Sequence, residues 1–394
     1  MKLKSFRFDL WGFVLIVSLF MVGLFIVFPL SSIFMGGFQD TQTGKLSLTN
    51  FEHFFTRRFF YSTLFRSLAV SVTTTVLAVI LGATMAYLTT IYKVAGKKII
   101  DIIVIISMIS PPFIGAYSWI LLAGRNGYLA QFFRNNFGVT LPSIYGFGGI
   151  VMVMALSSFP LIYLFTRGAL KKANSSLSEA AESLGCNPVK KAATMIIPLI
   201  MPTVLAAALL VFTDAFTDFG TPMLLSEGYI VLPALIFREF MSELGARPNF
   251  AASLSVIMIV ITAALFMLQK YIISKKSFKM SSLRPIQPTK MTGPWNVILH
   301  IFVYTVVALA TIPQLFVMFN SFRATSGPMF VEGFSLDSYR RVFDSLGSAI
   351  RNTYSFGLSA TVIIVILSMF IAYLSVRRPS VLTNLLDSLC MCLL

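Results

Sequence analysis

Few side chains in this sequence have the chemistry of a reaction centre. Its three cysteines (Cys186, Cys390, Cys392) and two histidines (His53, His300) show no metal-ligand spacing and no disulfide framework, and they read as structural. No Gly-x-x-x-x-Gly-Lys-Ser/Thr phosphate loop occurs, AGKKII at Ala95–Ile100 not being one, and no nucleophile sits with a plausible base. What remains is Asp214 and Asp218 in FTDAFTDFGTPMLL (Phe212–Leu225). Their i, i+4 spacing puts them on one face of a helix. Two carboxylates offer the oxygen donors that a hard cation takes. The competing reading makes them a helix cap, or ion-pair partners of Arg238 or Arg247.

The elements that must position these residues are membrane spans. The chain of 394 residues is 57% hydrophobic and 12% charged, with mean hydropathy +0.84. Soluble domains carry roughly 25% charged residues, so one water-soluble globule is excluded. Apolar runs near 11–34, 68–91, 99–123, 148–166, 195–220, 251–273, 296–319 and 354–376 predict an all-α polytopic membrane protein of about eight full spans. A partial ninth starts at 384–394; at about 16 Å of helix it is shorter than the ~30 Å hydrocarbon core. The first run follows a basic start, MKLKSFRFDLWGF, but is too long for a cleaved signal peptide. From Pro198 to Asp218 is about 30 Å of helix, which places Asp218 near the outer surface and Asp214 a turn below. A buried carboxylate inside a membrane costs roughly 2.5–3.5 kcal/mol, so such residues face water or a partner. SPPF (Ser110–Phe113) and Pro160 mark broken or kinked spans, which often line transport paths.

The net charge of +16 is explained by topology rather than by nucleic acid. With the N-terminus inside, nineteen of the 31 lysines and arginines fall on short inner segments. The remainder spread over longer outer loops. Asp101 and Asp387 stand at the inner starts of spans, where a helix N-terminus favours acids. Phe51, Phe54, Phe55, Phe59, Phe60 and Tyr61 read as an interfacial aromatic belt on the outer side.

The chain also repeats itself. Ile99–Met108 aligns with Leu385–Leu394, and Ala86–Leu88 with Ala372–Leu374, both at an offset of 286. Trp11, Pro29 and Phe38 match Trp295, Pro313 and Phe322 at 284. An even number of spans separates the copies, so the repeat is parallel: two six-span units, the second incomplete. The predicted organisation is a first half at 1–275 with an inner loop at 171–194, a basic linker at 276–294, and the start of a second half at 295–394.

That inner loop has unusual punctuation. Asn174, Ser175, Ser176 and Ser178 offer N-cap oxygens; a short helix rich in small residues then ends at Gly185, and Pro188 opens a second short helix. The register Glu179-Ala180-Ala181, three residues, Gly185, nine residues, Met195-Ile196-Ile197-Pro198 resembles the EAA loop of binding-protein-dependent ABC importer permeases of the type I class. Met195 and Ile197 replace the family's Ile and Leu. The resemblance covers the first half, extends upstream to Pro160 and Arg167, and resumes after 295. It implies that Glu179, Ala180, Ala181, Gly185 and Pro198 form a coupling element docked on a cytoplasmic ABC ATPase dimer. ATP would be bound by that partner, with no cofactor in this chain and no enzyme activity of its own. A periplasmic solute-binding protein would deliver cargo to a multi-pass permease in the bacterial inner membrane. TDFGTPMLL and Leu232–Ser255 resemble the branch that carries ferric iron as two fused halves; related branches take thiamine, phosphonates or polyamines. A secondary transporter or channel is the alternative of another class, and it would need its own coupling-ion site. A membrane enzyme would need clustered histidines or carboxylates at one interface, and the two scattered histidines argue against it.

Overall fold

The computed structural model describes residues 9–40, 43–172, 183, 185–242, 247–275, 287–327 and 329–391. The described residues are predominantly helical. Seven helices are long and apolar enough to cross a membrane, and one further pair is bent at a break. The chain divides into two compact units, one of residues 48–319 and one that joins 1–47 to 320–394.

The larger unit is built on α3 (Arg58–Ile91), α7 (Phe147–Lys172) and α9 (Ala192–Thr217). The outer helices here are α2 (Thr49–Thr56), α11 (Leu232–Met241) and α12 (Pro248–Lys275). Buried α3 residues include Ser67, Ser71, Thr74, Ala78, Gly82, Met85 and Ala86, a stripe dominated by small residues. Without a hydrophobic drive between helices in lipid, small residues let backbones approach and pack. A Cβ on Gly82 would lie 2.6 Å from the Phe159 carbonyl oxygen and 2.7 Å from Ile162 Cβ, so α3 and α7 touch there because the residue is glycine. The hydroxyls in the stripe turn back onto their own helix: Ser71 Oγ donates to Ser67 O at 2.8 Å, and Thr89 Oγ1 to Met85 O at 2.8 Å.

The helix α13 (Pro294–Ser321) joins this core through Leu299, Val303, Val306, Val307 and Ala310, at the three- and four-residue spacing of one helix face. Its approach is tied down by backbone. Lys93 N–H donates to Thr289 O, and Thr289 N–H to Ile91 O, each at 2.9 Å. His300 is structural, as its isolation in the sequence implies. Its Nδ1 lies 2.7 Å from Asn296 O and its Nε2 accepts from Ala95 N–H at 3.3 Å.

The outer aromatic segment divides between core and surface. Phe54 and Phe60 are buried with Phe216, Leu232, Leu235 and Phe250, whereas Phe55 and Phe59 remain 58% and 48% exposed. Phe51 and Tyr61 also pack on that cluster, so four of the six aromatics serve the core and two are left to face outward. His53 packs on Phe60 and Phe250, with ring centroids 5.0 and 5.2 Å away. Burial pushes its imidazole below the ordinary value, and the charges of Arg57 and Arg247 act in the same direction.

Two prolines explain the local helix geometry. Pro29 in α1 (Leu10–Gly37) follows a π-helical turn at Gly23–Val27, and Pro198 follows another at Ala192–Ile196. Proline lacks an N–H and its ring clashes with the carbonyl four residues back, so the wider turn accommodates it without ending the helix.

In the second unit, α1 packs on α14 (Asp337–Arg377) and α15 (Val381–Met391) through Leu15, Val22, Leu374 and Leu386. Trp11 stacks on Tyr373 at 4.2 Å. Asp9 caps α1, accepting from Gly12 N–H at 2.9 Å, and pairs with Arg378. That hydrogen bond from Arg378 holds the Asp9 carboxyl below its ordinary value. A short antiparallel hairpin, β1 (Arg323–Ser326) with β2 (Met329–Phe334), precedes α14. It is the departure from an all-helical reading. Both α3 and α14 begin well before the apolar runs at 68–91 and 354–376, because charged first turns end the apolar run without ending the helix.

Candidate functional site: the inner loop, the broken span and the outer carboxylates

The inner loop leaves α7 after Lys172. Glu179, Ala180 and Ala181 lie outside the described residues. Gly185 has φ +76°, the left-handed region that favours glycine, as expected where a helix ends. Asn187 Oδ1 accepts from Lys190 N–H at 2.7 Å and caps α8 (Pro188–Lys191). Pro198 sits in the first turn of the α-helical part of α9, Ile197–Thr217. A short link therefore runs from Gly185 through a capped turn into α9.

The outer carboxylates are not a matched pair. The α-helix ends at Thr217, and Asp218 leaves it with φ −67° and ψ 122°. Its N–H still donates to Asp214 O at 2.9 Å, so it stands one turn beyond Asp214, and the chain turns away only after it. Asp218 Oδ1 accepts from Gly220 N–H at 2.7 Å and Thr221 N–H at 3.4 Å, so it caps the short α10 (Gly220–Leu225). Asp214 stays on α9 and is exposed. Among the described residues neither is paired with Arg238 or Arg247, and no group of three or more His, Cys, Asp or Glu stands ready to hold a metal.

The SPPF break is real. Helix α4 (Lys97–Ile109) ends at Ser110, and the chain turns through 104° into α5 (Pro112–Ala123) and α6 (Tyr128–Phe137). Proline disfavours helix at the residue before it, which sets Ser110 extended. Phe113, just past the break, packs edge-on against Phe219 at 5.5 Å, and Phe219 stacks on Phe237 at 5.2 Å. A Cβ on Gly220 would meet both Asp218 and Phe113, at 3.3 and 3.4 Å. The break and the Asp218 corner thus adjoin. Pro160, by contrast, lies inside an uninterrupted α7.

A polar cluster escaped the sequence reading. Asp101 is past the first turn of α4 and faces α7, where it pairs with Arg167. Tyr163 Oη donates to Asp101 Oδ1 at 2.5 Å, and Thr89 Oγ1 donates to Tyr163 Oη at 3.3 Å. Helix-dipole chemistry is therefore not what holds Asp101. The available signal was the i, i+4 spacing of Tyr163 and Arg167 late in an apolar run.

Residues 78–277 match the family described as the binding-protein-dependent transport system inner membrane component. The chain is 24% identical over 376 residues to a putative ferric transport system permease protein, FbpB 1, of Haemophilus influenzae, covering 92% of this chain and 58% of that protein. It is 24% identical over 390 residues to a ferric transport system permease protein, FbpB, of Actinobacillus pleuropneumoniae, covering 96% and 56%. The chain spans little more than half the length of these curated relatives. Its fold resembles a chain of a bacterial ABC transporter involved in the import of the acidic polysaccharide alginate. There the TM-score is 0.56 at 14% identity, covering 67% of this chain and 94% of that one. Apolar spans, a broken helix and an inner loop with EAA spacing agree with the family match across half the chain: the protein is a multi-pass inner membrane component of the binding-protein-dependent transport family.

Proposed function

We propose that this chain forms permease spans of an ABC importer that passes ferric iron from a periplasmic binding protein to the cytoplasm. The observation that carries the reading is the Glu179 to Pro198 register, seated between two packed spans with a left-handed glycine at its centre. The family match supports importer function, and the ferric transport names of relatives aligned along nearly the whole chain support the cargo. An ATPase dimer docks on Glu179, Ala180, Ala181 and Gly185 from the cytoplasm, binds the ATP, and pushes through Pro198 into α9. This chain contributes no catalysis. The N-terminus is cytoplasmic, and the cargo passes Asp214 and Asp218 at the outer end of α9.

The parallel repeat belongs to this reading, with halves at 1–275 and 295–394. The spans α1 and α13 correspond, as do α3 and α14. In one compact unit the start of α1 is tied to the end of α14 by Asp9 and Arg378. In the other the approach to α13 is tied to the segment after α3. This reciprocal exchange of first spans supports two related halves.

The test is uptake into membrane vesicles holding the permease assembled with its ATPase and binding protein. Gly185→Asp should leave insertion intact and abolish ATP-driven uptake of ferric ion, because an aspartate is strained in the left-handed conformation. Normal uptake by that variant would refute the coupling role. Uptake of thiamine, a phosphonate or a polyamine in place of iron would reassign the cargo. Uptake without any ATPase subunit would make the protein a secondary transporter.

A further inference from the structure

Ion pairs within membrane spans are costly, and those retained there tend to serve function. Arg167 and Asp101 keep 15% and 17% of their side-chain exposure. Arg167 Nε is buried with no hydrogen-bond partner among the described residues, so the guanidinium is not arranged for greatest stability. Arg167 stands about 7.5 Å of helix from the end of α7 at Lys172, where the inner loop departs. Asp101 stands on α4, which buries a narrow face of Ile100, Val104 and Ser107 and leaves Ile99, Ile102 and Ile106 exposed. Through Tyr163 and Thr89 the same cluster reaches α3. At its other end, α4 runs into the break beside Phe113, Phe219 and Asp218.

We propose that Asp101 and Arg167 are positioning residues that make α4 follow α7, so that displacement of the inner loop reaches the broken span and the Asp218 corner. This rests on the importer reading above. The grip is local: α4 meets the core along one narrow face, and the charged contact sits at the end nearest the loop. Motion of α7 is thereby delivered to one end of α4; at the other, Gln314 Nε2 of α13 donates to Ser107 O at 3.1 Å, and the chain turns only beyond that anchor, at the Ser110–Pro111 break.

Removing one partner strands a charge, whereas replacing both with neutral groups often costs little stability. The informative variant is therefore the double one, D101N/R167Q, in the full permease assembled with its ATPase and binding protein in vesicles. The expected result is normal membrane content, unchanged basal ATP hydrolysis, and ferric ion uptake lowered by about tenfold or more, the scale of coupling between linked sites. Asp101→Glu, which keeps the pair, should recover most of the uptake. Wild-type uptake in the double variant would overturn the proposal. So would its loss from the membrane, which would make the pair a matter of assembly, or an equal fall in hydrolysis and uptake, which would place the fault at ATPase docking. If the wild-type complex itself shows no ATP-driven uptake, the importer reading fails and this proposal falls with it.

Discussion

Asp218 illustrates how one carboxylate can satisfy a structural need at the junction of two helices. Its Oδ1 holds the N-terminal amides of α10 while its backbone N–H continues α9 by donating to Asp214 O at 2.9 Å. Replacing such a cap with alanine costs about 1 kcal/mol, whereas asparagine keeps an acceptor oxygen. We expect Asp218→Ala to lower the thermal midpoint of the purified protein in detergent and Asp218→Asn to leave it unchanged. Ferric ion uptake should fall in the asparagine variant, because the charge alone has been removed; unaltered uptake would take Asp218 out of the path. At this scale the sequence showed that Gly185 needs a left-handed backbone, since glycine at a helix end has few other uses. Gly220 and Pro222 also signalled a helix end nearby, but not that the Asp218 carboxylate would turn onto the amides of the next helix, a contact that spacing along one continuous helix cannot reveal.

The meeting of α3 and α7 depends on the missing side chain at Gly82. A methyl group there would fall within 3 Å of backbone and Cβ atoms of α7 that cannot swing aside. We expect Gly82→Ala to cost about 1–3 kcal/mol, the usual penalty of overpacking. Gly168→Ala supplies the contrast, since a Cβ there meets nothing within 4 Å. As a helix-interior glycine it should gain roughly 0.5–1 kcal/mol instead. Chemical denaturation in detergent compares the two, and equal effects would remove the close contact as an explanation. Span existence was legible from the apolar runs, and so was the break at Ser110, because two adjacent prolines cannot continue a helix. The helix ends were not. Arg58 and Arg66 extend α3, and Arg340, Arg341 and Arg351 extend α14, past the apolar limit. Charge marks the membrane boundary, whereas helix continues wherever its backbone hydrogen bonds do.

Across the molecule, the bias of lysine and arginine predicts which side faces the cytoplasm, an expectation that labelling tests. In a cysteine-free background, Glu227→Cys should react with an impermeant maleimide in intact spheroplasts, and Lys290→Cys should react only after the membrane is opened. The reverse pattern would invert the topology and put the EAA register outside, away from any nucleotide. The sequence alone determined the membrane environment and the order of the apolar runs, and it carries the EAA spacing. Each of these follows from local composition, periodicity or spacing along the chain. Only the tertiary structure decided which spans share a core: α13 packs with α3 and α7, and α1 with α14 and α15. It also decided that Asp101 meets Arg167 and Tyr163. Such pairings join residues tens to hundreds of positions apart. In an apolar solvent most helix faces are about equally hydrophobic, so the choice of neighbour rests on close fit and a few polar contacts, which appear once the helices have been brought together.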